Sequence, residues 1–91
     1  MIEMLAEIKE FVLTSLAAMN YDTTDIGDDT TLGPAGADLE SLAIAELAVR
    51  VEDRFGVKFA EDEDEALAAM TIGEFCATVA DRLDLSRTAA Q

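Results

Sequence analysis

Three stretches of this chain repeat their apolar side chains at steps of three and four residues, and that period leaves few folds open. In the first, Leu5, Ile8, Val12, Leu16 and Met19 recur at intervals of 3, 4, 4 and 3, with Glu3, Glu7 and Glu10 on the other side. Ile44, Leu47, Val51 and Phe55 follow at 3, 4 and 4, and Ile72, Phe75, Val79 and Leu83 do the same. At about 100° per residue each set falls on one side of a helix, a stripe that must be buried against another element. The expected class is all-α, a small bundle of three longer helices.

The breaks between these stripes set the organisation. Helix one is expected to run to about Met19. Residues 20–37 are dense in Asp, Thr and Gly and hold the only proline, Pro34, so they read as a long ordered loop that Ile26 and Leu32 pin to the core. A loop of this length inside a small domain is functional or internally packed. The second helix spans about Glu40 to Phe55, with Asp38 as its expected N-cap and Gly56 as a left-handed stop. Glu61 to Glu65 opens a short third helix, acids first and Ala66, Leu67 and Met70 after, in keeping with the helix dipole. Thr71-Ile72-Gly73-Glu74 is a capping box at the start of the last long helix. Residues 1–85 are expected to form one domain, and residues 86–91, which lack apolar periodicity, a flexible C-terminal tail.

Charge narrows the partners. Six basic and twenty acidic side chains leave a net charge of −14, which repels nucleic-acid phosphates and anionic lipids and attracts basic protein surfaces. Hydrophobic content of 51% still provides enough apolar area to fold. Glu or Arg interrupts every apolar run before it could span a membrane, and the acidic opening Met1-Ile2-Glu3 is unlike a signal peptide, so a cytoplasmic monomer is expected.

The same inventory disfavours catalysis and metal binding. The chain has no histidine and one cysteine, so a zinc site lacks its usual ligands and a serine lacks the commonest base that activates it. Cys76 falls within about 40° of Ile72 on the apolar face of the last helix and reads as a small core thiol. Contiguous acids at 61–65 splay around a helix instead of converging. The Asp22 to Gly33 loop fails as a calcium loop, because Ile26 and Gly33 stand where oxygen ligands belong. A hydrolase using paired carboxylates has no acid and base singled out by spacing. Phe11, Tyr21, Phe55, Phe59 and Phe75 read as packing residues.

One residue stands apart. Ser41 sits where the acidic loop turns into helix two, and a helix N-terminus is suited to hold a phosphate. It reads as an attachment point. Helix two also has a second face: opposite its core stripe, Leu42 and Val49 alternate with Glu46 and Asp53. With Ser41 adjacent, that face is expected to dock partners.

Glu40-Ser41-Leu42, followed by Glu46-Leu47 and Val51-Glu52-Asp53-Arg54-Phe55-Gly56, resembles the acyl carrier proteins of fatty-acid and polyketide synthesis. The resemblance covers nearly the whole chain, including the long acidic loop, the acidic short third helix and Thr71-Ile72-Gly73-Glu74-Phe75. It implies a freestanding four-helix carrier without catalytic activity of its own. It implies too that a phosphopantetheinyl transferase, using coenzyme A and Mg2+, attaches 4′-phosphopantetheine to Ser41, and that acyl groups ride on its thiol as thioesters. The partners it implies are that transferase and acyltransferase, ketosynthase or other pathway enzymes with basic docking patches. Asp38, Glu40, Leu42, Glu46, Val49, Glu52 and Asp53 are the candidate contacts, and no catalytic or metal-binding residue is expected. Where relatives read Leu-Gly-x-Asp before the serine, this chain reads Ala37-Asp38-Leu39-Glu40, and Arg50 and Arg54 add positive charge. These departures point to polyketide or other specialised metabolism. The competing expectation is an unmodified acidic adaptor of the same fold, binding enzymes through helix two.

Overall fold

The computed structural model describes residues 2–24, 26–33 and 36–89. The chain forms α1 (Ile2–Ala18), α2 (Ser41–Phe55), a single 3-10 turn (Glu61–Glu63), α3 (Asp64–Ala69) and α4 (Ile72–Ala89). The all-α expectation holds: α1 packs on α2 and α4, and α3 packs on α2. The three periodic stripes meet in one core, with Ile8, Val12 and Leu16 from α1, Ile44, Leu47 and Val51 from α2, and Ile72, Phe75 and Val79 from α4 all buried. Leu67 of α3 and Cys76 of α4 complete it. The α1 stripe is shorter than its period suggests, because Leu5, one turn from the start, stays 37% exposed.

The long loop lies on the core, and its backbone groups must therefore find partners. Leu32 is fully buried and Ile26, partly buried, packs against the core. Thr31 pairs with Thr71 as an isolated antiparallel bridge. Around it Leu32 N donates to Met70 O (3.0 Å), Gly33 N to Ala68 O (3.0 Å), Ile72 N to Thr30 O (2.8 Å) and Gly73 N to Asp28 O (2.9 Å). A Cβ at Gly33 would stand 2.9 Å from the Ala68 carbonyl oxygen, so the close approach requires glycine there. An ion pair of 2.7 Å between Lys9 and Asp28 ties the loop to α1.

Helix ends follow local chemistry with one exception. Thr71 and Glu74 form the capping box: Glu74 N donates to Thr71 Oγ1 (3.1 Å) and Thr71 N to Glu74 Oε1 (2.9 Å). Gly56 ends α2 at φ 75°, its N–H bonded to Glu52 O at 2.8 Å. Asp38, by contrast, is not the N-cap of α2. It adopts φ 62°, whereas an N-cap needs extended backbone, and Glu40 takes that position at φ −76°, ψ 163° without a side-chain cap bond. At the other end of the chain α4 runs to Ala89, with no Gly or Pro inside its last turns to stop it. Residues 90–91 lie outside the described residues.

A clamp joins α4 to the segment before α3. Arg82 of α4 donates to both carboxylate oxygens of Glu63 (3.1 and 2.8 Å) and to Lys58 O (2.8 Å). Its guanidinium lies 4.9 Å over the Phe59 ring, which stacks on Phe75 at 5.8 Å. Hydrogen bonds from Arg82 and from the Ala60 N–H hold the Glu63 carboxyl below the usual range. Phe11 and Phe55 meet edge to face at 5.5 Å. Every aromatic residue is thus part of, or packed against, the core.

Candidate functional site at the start of α2

Position at this site is fixed from the loop side. Leu39 is 3% exposed, and its N–H donates to Leu32 O at 3.0 Å, while Asp38 N donates to Gly33 O at 2.8 Å. These bonds consume the backbone just before the helix and turn Asp38 and Glu40 outward, where both are exposed. Ser41 follows as the first residue of α2, also exposed. A buried leucine two residues upstream therefore sets where the hydroxyl emerges.

Electrostatics at Ser41 come from the helix itself. The first-turn amides of α2 receive no side-chain cap from Glu40, and no acid occupies the first turn. They leave an open, partly positive end. The chain has no histidine to take the hydroxyl proton, so the commonest base that activates a serine is missing beside Ser41. Cys76, the stronger nucleophile in principle, is 4% exposed, and burial pushes its thiol up to about 11. Among the described residues no cluster of acids, Cys or His could hold a metal ion.

Beyond Ser41, α2 presents an outward ridge. Leu42 is 83% and Val49 52% exposed, and Glu46 and Asp53 are exposed beside them. The ridge has a groove on each flank. On the α1 side, Met19, Tyr21, Leu42, Ala43, Glu46 and Arg50 border an open groove of about 290 Å³. On the α3 side, Ala45, Val49, Glu52, Lys58 and Phe59 border one of about 420 Å³.

Of the seven candidate contacts, Leu42, Glu46, Val49 and Asp53 share this ridge, and Asp38 and Glu40 lie at its upper end. Glu52 does not join them. It sits about 100° around the helix from Asp53, is half-buried, and accepts a 2.8 Å hydrogen bond from Phe59 N, which fixes the loop after α2. Glu46 carries a partner of its own: Arg50 Nη2 and Nε donate to its Oε2 at 3.0 and 3.2 Å. Sequence spacing exposes that i,i+4 pair. It does not expose Arg82, whose partner Glu63 lies 19 residues away, nor the α3-side groove, which the loop builds from beyond α2.

Residues 10–79 match the family described as "Phosphopantetheine attachment site". Comparison with curated proteins and with solved structures gives no match. Among the described residues no helix is long and apolar enough to cross a membrane.

Proposed function

We propose that this chain, which belongs to the phosphopantetheine attachment site family, carries its 4′-phosphopantetheine on Ser41 and works as an acyl carrier. The prosthetic group follows from the family. Its position on Ser41 rests on one observation: an exposed serine at the open N-terminus of α2, set there by the buried Leu39. The residues fit the group. A phosphodiester on the Ser41 oxygen adds negative charge beside first-turn amides that lack a side-chain cap, where the helix dipole favours an anion.

In loading, a transferase takes the Ser41 proton while the serine oxygen displaces the nucleotide part of coenzyme A from phosphorus; Ser41 supplies only that oxygen. The group then supplies a terminal thiol able to hold acyl chains as thioesters. The protein holds the arm at a fixed point and presents the α2 ridge to successive enzymes. The net charge of −14 supports partners with basic patches. Asp38 and Glu40 before the serine, and Arg50 beside the ridge, favour a dedicated polyketide or other specialised pathway, with acyltransferase and ketosynthase partners, over general fatty-acid synthesis.

Intact mass spectrometry tests the assignment. After incubation with a broad-specificity phosphopantetheinyl transferase, coenzyme A and Mg2+, the protein gains one phosphopantetheine, and Ser41→Ala gains nothing. A gain that persists in Ser41→Ala moves the site elsewhere. No gain, from a transferase shown to load a control carrier, replaces the carrier with an unmodified adaptor.

A further inference from the structure

The surface that flanks Ser41 is not uniformly acidic, and the exception stands on the α1-side flank of the ridge. Arg50 projects from the α1 side of α2 and reaches over to Glu46 with two N–H groups on one carboxylate oxygen, at 3.0 and 3.2 Å. Neither side chain is buried, with 39% and 54% of their surfaces exposed, so the pair faces solvent and not the core. It also shares one groove with Glu40 and with Leu42, which is 83% exposed.

From this arrangement we infer that Arg50 is a specificity-determining residue: it masks Glu46 and disfavours enzymes whose docking patches are purely basic. A lysine or arginine arriving opposite Glu46 must displace a guanidinium already bonded to that carboxylate, and meets the positive charge of Arg50 while doing so. A docking patch that brings a carboxylate to Arg50 meets no such penalty, because its acid takes Arg50 and its base takes Glu46. The partner selected is therefore an enzyme surface with an apolar pocket for Leu42 and charges of both signs beside it. The other acids of the ridge, Glu40 and Asp53, remain open to basic side chains and keep the long-range attraction.

Arg54 supplies the control. It has the same charge and lies four residues on, but it stacks over Phe55 at 5.0 Å and borders a groove with Glu7, Glu10 and Phe11, away from the ridge. Removing either arginine changes the net charge equally.

The inference rests on the carrier reading only for its choice of partner, and the test separates the two. Binding is measured in a Ser41→Ala background, which cannot be loaded, by calorimetric titration with a broad-specificity phosphopantetheinyl transferase of basic docking patch, coenzyme A and Mg2+ at low salt. Arg50→Gln tightens binding about three- to ten-fold, Arg54→Gln less than about two-fold, and the difference shrinks as salt screens the charges. Glu46→Gln has little effect while Arg50 is present and cancels the gain once Arg50 is replaced. The inference is overturned if Arg50→Gln and Arg54→Gln act alike, if Glu46→Gln costs the same in both backgrounds, or if Arg50→Gln shows no binding. Failure of the Ser41 reading appears elsewhere, as an absent mass gain in the unsubstituted chain.

Discussion

The starts of α2 and α4 are built in opposite ways. At α4 the chain satisfies itself: Thr71 and Glu74 cap each other's backbone, Ile72 is fully buried, and the nucleophilic Cys76 one turn on is 4% exposed. At α2 the cap residue Glu40 makes no side-chain bond, the second residue Leu42 is 83% exposed, and the nucleophilic Ser41 faces solvent. Both starts are clasped by the same loop, through Thr30 and Asp28 at α4 and through Leu32 and Gly33 before α2. The difference is therefore not one of order. One helix start is sealed to stabilise the bundle, and the other is held equally firmly but left chemically open.

The largest effect expected from this contrast compares the first large apolar side chain of each helix. Ile72→Ala leaves a cavity in the core and costs about 2–5 kcal/mol, whereas Leu42→Ala stays within about 0.5 kcal/mol of the parent. Denaturant titration of both variants checks it, and similar losses would mean that the ridge is part of the core. Alkali gives the next largest effect. The Cys76 thiol is held neutral in the fold up to about 11, against an ordinary value of 9.0. A raised pKa means the stabilisation is whole below pH 9 and is lost as pH climbs from 9 to 11, roughly 1–2 kcal/mol. Cys76→Ala should flatten that part of the stability curve, and a thiol reagent at pH 8 should label Cys76 only in unfolded protein. Thr71→Ala, which removes half of the capping box, is expected to cost about 1 kcal/mol, while Glu40→Ala, with no cap bond to lose, leaves the melting temperature unchanged.

What the sequence revealed tracks the range of the interaction. The core stripes, the Thr71–Glu74 box, the Gly56 stop and the Glu46–Arg50 pair all depend on residues three or four apart, and each was legible. Ile26 and Leu32 could be read as anchors because they are isolated apolar residues in a polar loop. The Arg82–Glu63 clamp and the Thr31–Thr71 bridge were not legible, since their partners are brought together by the path of the chain and not by its period. The bond from Phe59 N to Glu52 was not legible either, because it joins residues seven apart across the turn after α2. The place of Ser41 at the start of α2 was legible from the stripe that begins just after it, but its exposure depends on the burial of Leu39 beneath the loop.

Asp38 tests the α2 start most directly. Its aspartate type suggested a cap, but it stands at φ 62°, a left-handed conformation that strains most side chains, and Asp less than most. Asp38→Gly removes the Cβ strain but gains freedom in the unfolded chain, two terms of about 0.5–1 kcal/mol that oppose each other. The stability should therefore change by less than about 0.5 kcal/mol. Asp38→Ala keeps the strain and loses the tolerance of the polar side chain, and is expected to cost about 1 kcal/mol. Asp38→Asn keeps the tolerance and removes only the charge. If the turn serves to aim Ser41, Asn and Gly should load with phosphopantetheine at the same rate as each other, while Ala loads more slowly in proportion to its lost stability. Equal stability and equal loading across all three variants would show that the left-handed turn does not hold the start of α2 in place.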